Sequence, residues 1–466
     1  MAHGSMTTRF IYNHSPWLFQ TLIASYYGIY KSFQKFGDSY QRCFEHINKS
    51  QWFSAAQINE LQLRELKNVI GYVYQNVPYY SELFKRLNLV PADFQSIDDL
   101  KKLPVLTKED VRANFERLTP GNLSPKDVIT EHTSGSTGKA MKFLLSKDCY
   151  QKEYAFLRLQ RTWAGVEDDD RVATFGGHAV IKIDRHKPPF WINNYFEHQV
   201  LFSSYHMSER NLGFYAEKLI RFNPDLILGY PSSIYLMASY LSRRNITVVK
   251  PKAVITSSES LLDFQRKLIE QVFRTKVYSY YGNAERVSNI SQCERGGLHI
   301  KPEYGIIEFL DENDEPVEEG EPGRMVCTGF LNDAMPLIRY DVGDIAIPIQ
   351  SECACGRSGP LVKEIVGRTD DFIVTPNGEH IGRLSQVFKG IDAVEEAQFV
   401  QNEKERVIIN VVKRADFSEH DSKAIIYNAK DRLGDDIGIE LRFVPNIRRH
   451  ANGKFKFVIS NVAREI

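Results

Sequence analysis

The stretch Thr133-Ser-Gly-Ser-Thr-Gly-Lys139 interleaves four hydroxyl-bearing residues with two glycines and closes on a lysine. Such a stretch can wrap a polyphosphate. Gly135 and Gly138 let backbone N–H groups come close, while Thr133, Ser134, Ser136, Thr137 and Lys139 supply further donors. It is not a Walker A loop, which needs four residues between its glycines and a Ser or Thr after the lysine. Here two residues separate the glycines, and Ala140 follows the lysine. Taken alone, a Ser/Gly-rich stretch is more often a plain surface turn.

A second group that could do chemistry is Cys293, His299, Cys353 and Cys355. The first pair is spaced C-x5-H in a Gly-rich turn, and the second is C-x-C before Gly356-Arg357. Three thiols and one imidazole suit tetrahedral zinc, and two ligand pairs on separated loops would be clamped together by it. Four protein ligands leave no open position, so such a site is structural. The alternative is buried unpaired cysteines beside a surface histidine. Cys43, Cys149 and Cys327 read as packing residues.

Alternating strand and helix patterns must position these groups. Strand patterns at Arg171–Phe175, Asp225–Leu228, Ala253–Thr256 and Lys276–Tyr280 alternate with helical patterns at Ser208–Phe222, Ser232–Arg243 and Leu261–Phe273. That order predicts a parallel sheet covered by helices. Three strands end in polar turns, Gly229-Tyr-Pro-Ser232, Ser257-Ser-Glu259 and Tyr281-Gly-Asn-Ala-Glu285. Open α/β sheets bind ligands at such carboxyl ends. After Glu303, short strands at Gly305–Leu310, Arg324–Thr328 and Ile345–Ile349 suggest a small β-barrel-like subdomain. Gly367-Arg-Thr-Asp-Asp371 precedes a tail read as strand (Phe372–Thr375), helix (Leu384–Lys389), hairpin (Glu396–Lys413), helix (Asp421–Leu433) and strand (Ile437–Phe443). The fold class is α/β: a large N-terminal domain, 7–368, of mostly parallel helix-covered sheets, and a small α+β C-terminal domain, 369–466.

Composition narrows the partners. The 466 residues carry 59 basic and 59 acidic side chains, which removes the bulk electrostatic argument for nucleic acid. No apolar run is long enough to span a bilayer. Six cysteines in so long a chain do not make a disulfide scaffold, which points to a reducing cytoplasm. Met-Ala-His-Gly-Ser-Met at the start reads as a cloning remnant before a native start near Met6, and no cleavable signal peptide is visible. Pro16 to Phe33 is rich in Trp, Phe, Tyr and Leu. A membrane surface would suit it, but an aromatic helix packed on its own domain is the expected arrangement.

The turns, in this order, resemble those of the adenylate-forming superfamily of acyl-CoA synthetases, peptide-synthetase adenylation domains and luciferases. The resemblance runs from about Leu103 to Phe457, and it is strongest to the phenylacetate–CoA ligase branch with its capsule and surface-polysaccharide relatives. Leu103-Pro-Val-Leu-Thr-Lys108, Thr133–Lys139, Tyr281-Gly-Asn-Ala-Glu285, Tyr340-Asp-Val-Gly-Asp344, Gly367-Arg-Thr-Asp-Asp371 and Gly453-Lys454 carry it, six motifs in register. The resemblance implies that loop 133–139 holds the β- and γ-phosphates of ATP and that Glu285 binds Mg²⁺. It implies that Tyr281, followed by Gly282, stacks on adenine, with Ser258 and Glu259 lining the same face. Asp344 would accept from the ribose hydroxyls, with Arg368 as a second contact. Asp370 matches the hinge about which the tail rotates, and Lys454 the lysine that bridges carboxylate and α-phosphate oxygens. Some members of the branch carry a structural zinc at positions matching the Cys/His group. One residue departs from the pattern: Ala284 stands where the superfamily usually has Thr, whose hydroxyl contacts the α-phosphate.

The expected activity is therefore ATP-dependent, AMP-forming ligation of a small carboxylic acid, with catalytic Lys454, Glu285 and Lys139. The acceptor is coenzyme A or an amine, and a catalytically silent adenylate-binding protein is the reading from another class. Pocket candidates at the strand ends are Phe175, Gly177, His178, Tyr230 and Ser232. His178 and the basic run Lys182–Lys187 are equally readable as solvated loop.

Overall fold

The computed structural model describes residues 12, 15–132, 141–176, 180–182, 184–247, 250–368, 372–378, 380–381, 384–388, 391, 393–449 and 454–462. These fall in two units, one drawn from Met1–Ser25, Asp169–Val277 and Val366–Ile466, the other from Tyr26–Asp168 and Tyr278–Ile365.

In the first unit the strand order is Ala253–Ser257, Leu226–Gly229, Val172–Gly176, Gln199–Ser203, Trp191–Asn194. The first four strands run parallel, and only the edge strand Trp191–Asn194 is antiparallel. Helices Glu209–Phe222, Pro231–Arg243 and Asp263–Phe273 cover the sheet, as the alternation predicts. The pair Trp191–Asn194 and Gln199–Ser203 was not anticipated from sequence. Proline sits in the first turn of helix Pro231–Arg243, where a missing N–H costs nothing. Register puts Phe175 opposite Gly229, and Gly229 opposite Thr256, so the turns after these strands lie along one edge. Gly229 has φ +152°, and a Cβ there would lie 2.0 Å from the Phe175 carbonyl oxygen. No other residue fits this strand end.

The tail has its own apolar core, built on Phe399, Ile409, Ile425 and Val387. Its four-stranded sheet runs Gly438–Phe443, Arg406–Lys413, Val394–Glu403, Val458–Ser460. Strand Val458–Ser460, parallel to Val394–Glu403, adds to the elements read from sequence. The segment read as helix Leu384–Lys389 is a 3₁₀ turn, Leu384–Phe388, under helix Glu419–Leu433. Ser418 and Asp421 form a capping box that starts that helix. The tail meets the rest of its unit at Arg414, which donates to the Tyr235 hydroxyl at 2.8 Å.

In the second unit, helices Asp38–Ser50, Ala55–Asn76, Pro78–Leu87 and Lys147–Trp163 pack with strands ordered Gly305–Leu310, Gly323–Gly329, Tyr340–Ile349, Leu361–Arg368, Leu298–Ile300, Asn289–Gln292, Val277–Gly282. Val128–His132 pairs antiparallel with Lys142–Ser146, with His132 opposite Lys142. The stretch 133–139, between these two strands in sequence, lies outside the described residues, as do Gly177, His178, Asp370 and Gly453 and the side chain of Arg368.

The aromatic helix Trp17–Lys35 reverses the expectation that it packs its aromatics inward. Gln20, Thr21, Ala24 and Gly28 are buried, whereas Phe19, Tyr26 and Phe33 are exposed. The small and polar face is the one that fits against the domain.

Gly229→Ala is expected to lower stability by about 3 kcal/mol or more, because the clash is with main chain that cannot rotate away. Gly121→Ala, where an added Cβ meets nothing within 4 Å, should melt close to the parent. Thermal denaturation of the two variants checks this.

Candidate active site and metal centre

In the second unit, the turn after strand Val277–Gly282 is held from below. Glu153, buried in helix Lys147–Trp163, accepts from the Tyr280 hydroxyl (2.9 Å), Arg286 (3.0 Å) and the Tyr304 hydroxyl (2.5 Å). The Asn283 side chain closes the turn by accepting from the Val287 N–H at 3.0 Å and donating to Ser288 at 2.7 Å. Glu285 is thereby fixed, buried, and accepts from the Tyr340 hydroxyl at 2.9 Å. Ala284 packs its methyl against the core of the unit.

Tyr281 donates to Asp344 at 2.6 Å. Burial, and then the Asp344 carboxylate, push the Tyr281 hydroxyl well above its ordinary value, so it remains a donor. Asp344 lies in strand Tyr340–Ile349 where its register against the neighbouring strand shifts, and there Gly343, at φ +72°, gives its N–H to the Asp341 carboxylate at 2.7 Å. The segment Leu103–Lys108 runs beside this part of the strand. The Leu106 N–H donates to the Arg339 carbonyl, the Asp341 N–H to the Leu106 carbonyl, and the Lys108 ammonium to the Val342 carbonyl. Four of the sequence-predicted groups, Tyr281, Gly282, Glu285 and Asp344, are thus brought together in this unit. Glu153 and Tyr340 were missed as their supports. A glutamate in the middle of an aromatic helix is the only trace the first leaves in sequence.

In the first unit, the edge formed by the strand ends carries Tyr230, Ser232, Ser258 and Glu259. Ser258 adopts φ +70°, which turns the chain so that Glu259 points inward. The Glu259 carboxylate accepts from the Ser232 N–H at 3.2 Å and from the Phe455 N–H at 2.7 Å. Burial pushes the Glu259 carboxyl above the usual carboxylate range, against the opposing pull of these donors. The bond to Phe455 brings the tail to the strand ends, and the Lys454 ammonium lies 5.9 Å from the centre of the Tyr230 ring. Phe175 does not line a pocket wall: it is fully buried and stacks on Phe202 at 4.6 Å within the apolar core. A strand residue one position before the edge faces the core because strand side chains alternate.

The Cys/His group assembles as its spacing predicts. The four donor atoms of Cys293, His299, Cys353 and Cys355 lie within 4.8 Å of one another. The Cys293 and Cys353 sulfurs are 3.6 Å apart, and Cys355 Sγ is 3.3 Å from His299 Nε2. A tetrahedral zinc with Zn–S bonds of about 2.3 Å separates its sulfurs by about 3.8 Å, so the donors fit. Two matching turns present the pairs: Gly296 and Gly356, at φ +94° and +81°, return their N–H groups to the Cys293 and Cys353 carbonyls at 2.9 Å. A Cβ on Gly297 would come within 2.7 Å of Cys353 Sγ and 3.2 Å of His299 Nε2, so the cradle requires a bare backbone. Burial, with Lys301 and Arg357 nearby, pushes His299 down to about 3, which keeps the imidazole neutral as a ligand must be. Around the site, Lys301 and Arg357 lie over the Trp163 ring at 3.1 and 4.1 Å. Cys149 and Cys327 are buried in the core as expected, and Cys43 packs at its margin.

Comparison with known proteins accords with these motifs. Residues 373–461 match the family described as the CapK C-terminal domain. Protein CapK of Staphylococcus aureus is 28% identical over 460 residues, 97% of this chain and 99% of its own length. A phenylacetate–coenzyme A ligase of Thermus thermophilus is 26% identical over 331 residues, covering 68% of this chain and 72% of the relative. A crystal structure of 2-hydroxyisobutyryl-CoA ligase, in the postadenylation state with R3-HIB-AMP, has a TM-score of 0.69 at 17% identity. It covers 89% of this chain and 91% of that one, and it establishes the fold. CapK and the phenylacetate–coenzyme A ligases are thus homologues of this chain, and its fold is that of an adenylate-forming CoA ligase.

Proposed function

We propose that the chain is an ATP-dependent, AMP-forming carboxylate ligase that makes an acyl adenylate and passes the acyl group to coenzyme A. The observation that carries this reading is the position of Lys454. It is held against Tyr230 by the bond from the neighbouring Phe455 N–H to Glu259, on the edge where the strands of the parallel sheet end. The relatives, named as CoA ligases, support the acceptor.

In the first half-reaction a carboxylate oxygen attacks the α-phosphorus of ATP, the new P–O bond forms, and pyrophosphate leaves with the electron pair of the broken P–O bond. Both reactants are anionic, so the work of the protein is positioning and charge stabilisation. Lys454 offsets the repulsion between carboxylate and α-phosphate. Asp344, oriented by Tyr281, accepts from the ribose hydroxyls, and Arg368 adds a second contact. Loop 133–139, with Lys139, takes the β- and γ-phosphates. Glu285, its carboxylate oriented by Tyr340, would hold Mg²⁺, which neutralises phosphate charge. Gly177, His178, Tyr230 and Ser232 are the residues proposed to meet the acid. With Ala284 in place of Thr, one α-phosphate contact is lost, which bears on the rate more than on the reaction. In the second half-reaction the coenzyme A thiolate attacks the acyl carbon and AMP leaves. The domains are proposed as 7–368 and 369–466, with Asp370 the hinge that reorients the tail between the two steps.

Cys293, His299, Cys353 and Cys355 are proposed to hold one structural zinc. The cysteines among the described residues are free thiols, which suits a reducing cytoplasm.

ATP–pyrophosphate exchange over a panel of carboxylic acids, repeated with coenzyme A and with amines as acceptors, tests the activity. No exchange with any acid would leave a silent nucleotide binder. Lys454→Ala should lower adenylation about 10²–10³-fold while leaving ATP binding and the transfer from a supplied adenylate intact. Equal loss of both half-reactions would instead signal misfolding.

Glu285→Gln should keep the melting temperature but depress exchange strongly, most of all at limiting Mg²⁺. Exchange rates equal to the parent under those conditions would remove Glu285 from the mechanism.

Metal analysis should find about one equivalent of zinc per chain, and Cys353→Ser should lose it together with several kcal/mol of stability. Purified protein without stoichiometric zinc, or a Cys353→Ser variant that melts like the parent, would refute the site.

A further inference from the structure

The helix Trp17–Lys35 is apolar on its outer side. Leu18, Phe19, Leu22, Tyr26, Tyr30 and Phe33 recur at intervals of three and four residues, which puts them on one face, and all are exposed. Phe33 and Tyr26 are 77% and 74% exposed, so these rings project outward and do not line a groove. The helix is about 28 Å long, and in water a face of this size and composition needs a cover.

The rest of the patch comes from the loop that flanks the first half of the helix. The Tyr12 hydroxyl donates to the Val180 carbonyl at 2.7 Å, and Gln20 donates to the Tyr12 carbonyl at 2.8 Å. Trp17 donates to the Trp191 carbonyl at 2.7 Å, and the Tyr195 N–H to Ser25 at 3.1 Å. These bonds bring two further exposed rings, Tyr195 and Phe196, beside the helix. The Tyr12 bond to Val180 also ties down the start of a basic run, Lys182, Arg185, His186 and Lys187, of which Arg185 lies near Tyr12. Its one acid, Asp184, is paired with Lys182 at 2.8 Å, and Glu197 accepts from the Asn194 amide at 2.8 Å. The helix has no acidic residue, and its two lysines, Lys31 and Lys35, turn away from this face onto the Tyr150 and Tyr154 rings at 5.5 and 5.0 Å.

We propose that this surface seats the chain on an anionic lipid bilayer, with the helix lying in the headgroup plane. Projecting rings flanked by cations suit a deformable, negatively charged interface. Tyr and Trp favour that depth, where the ring is buried and the polar tip stays wet. A second copy of the chain would bring the same cations against themselves. The basic loop supplies attraction over a Debye length, and the aromatic stripe supplies the apolar anchor.

Sedimentation of the full chain with vesicles tests this. Binding is expected to vesicles of phosphatidylcholine with phosphatidylglycerol, much less to phosphatidylcholine alone, and to weaken as salt rises. The variant Phe19→Gln/Tyr26→Gln/Phe33→Gln should lose at least about tenfold in partitioning, with unchanged circular dichroism and melting, because these side chains touch solvent. Arg185→Gln/Lys187→Gln should remove most of the preference for anionic lipid. Absence of binding to either vesicle, or equal binding by the triple variant, overturns the proposal. So does a dimer in sedimentation velocity that the triple variant dissociates, which would make a second copy the occupant.

Discussion

The carboxylate of Glu153 is where the second unit commits its local order. A buried charge without partners is costly, and here Tyr280, Tyr304 and Arg286 all converge on it. Arg286 in turn is held firmly in its charged form by that carboxylate, against the pull of burial. The strand Val277–Gly282 and the turn that follows it are therefore pinned to one helix by charge-assisted bonds. Tyr281 and Glu285 inherit their positions from this anchor. Removing Glu153 would strand a buried guanidinium and two buried hydroxyls, a far larger loss than the bonds alone.

The same helix also carries the Cys/His group. Its last residue, Trp163, meets the His299 ring edge-on at 5.7 Å and lies beneath Lys301 and Arg357. Arg357 continues to Glu294 at 3.0 Å and to Gln51, which also accepts from the Trp163 indole. The two cysteine turns are thus braced against a helix end, and the carboxylate cluster against its middle. A loss of order at either place is felt along one rigid rod.

Much of this was legible in the sequence, and for physical reasons. Parallel strands buried on both faces read as short apolar runs, and the polar turns that end them stand out. Cysteine spacing survives because only close turns can bring four such donors together. What escaped reading was either non-local or too short. Glu153 and Tyr340 gain meaning only from partners more than fifty residues away. Strand Val458–Ser460 has three residues and no period of its own. Phe175 looked like a pocket wall because it ends a strand, but the alternation of faces sends it inward. The aromatic helix misled through composition, since richness in apolar residues says nothing about which face turns toward the domain.

The bond between Glu259 and residue 455 is made by a main-chain N–H. Every residue except proline offers that donor, so the attachment is blind to the side chain at this point. It reads instead how far along the chain the donor stands, and Lys454 is delivered by counting one residue back. Sequence drift at 455 is therefore tolerated, while adding or removing a single residue nearby would turn the ammonium away from the strand ends. Length, not chemistry, is the quantity this latch keeps fixed.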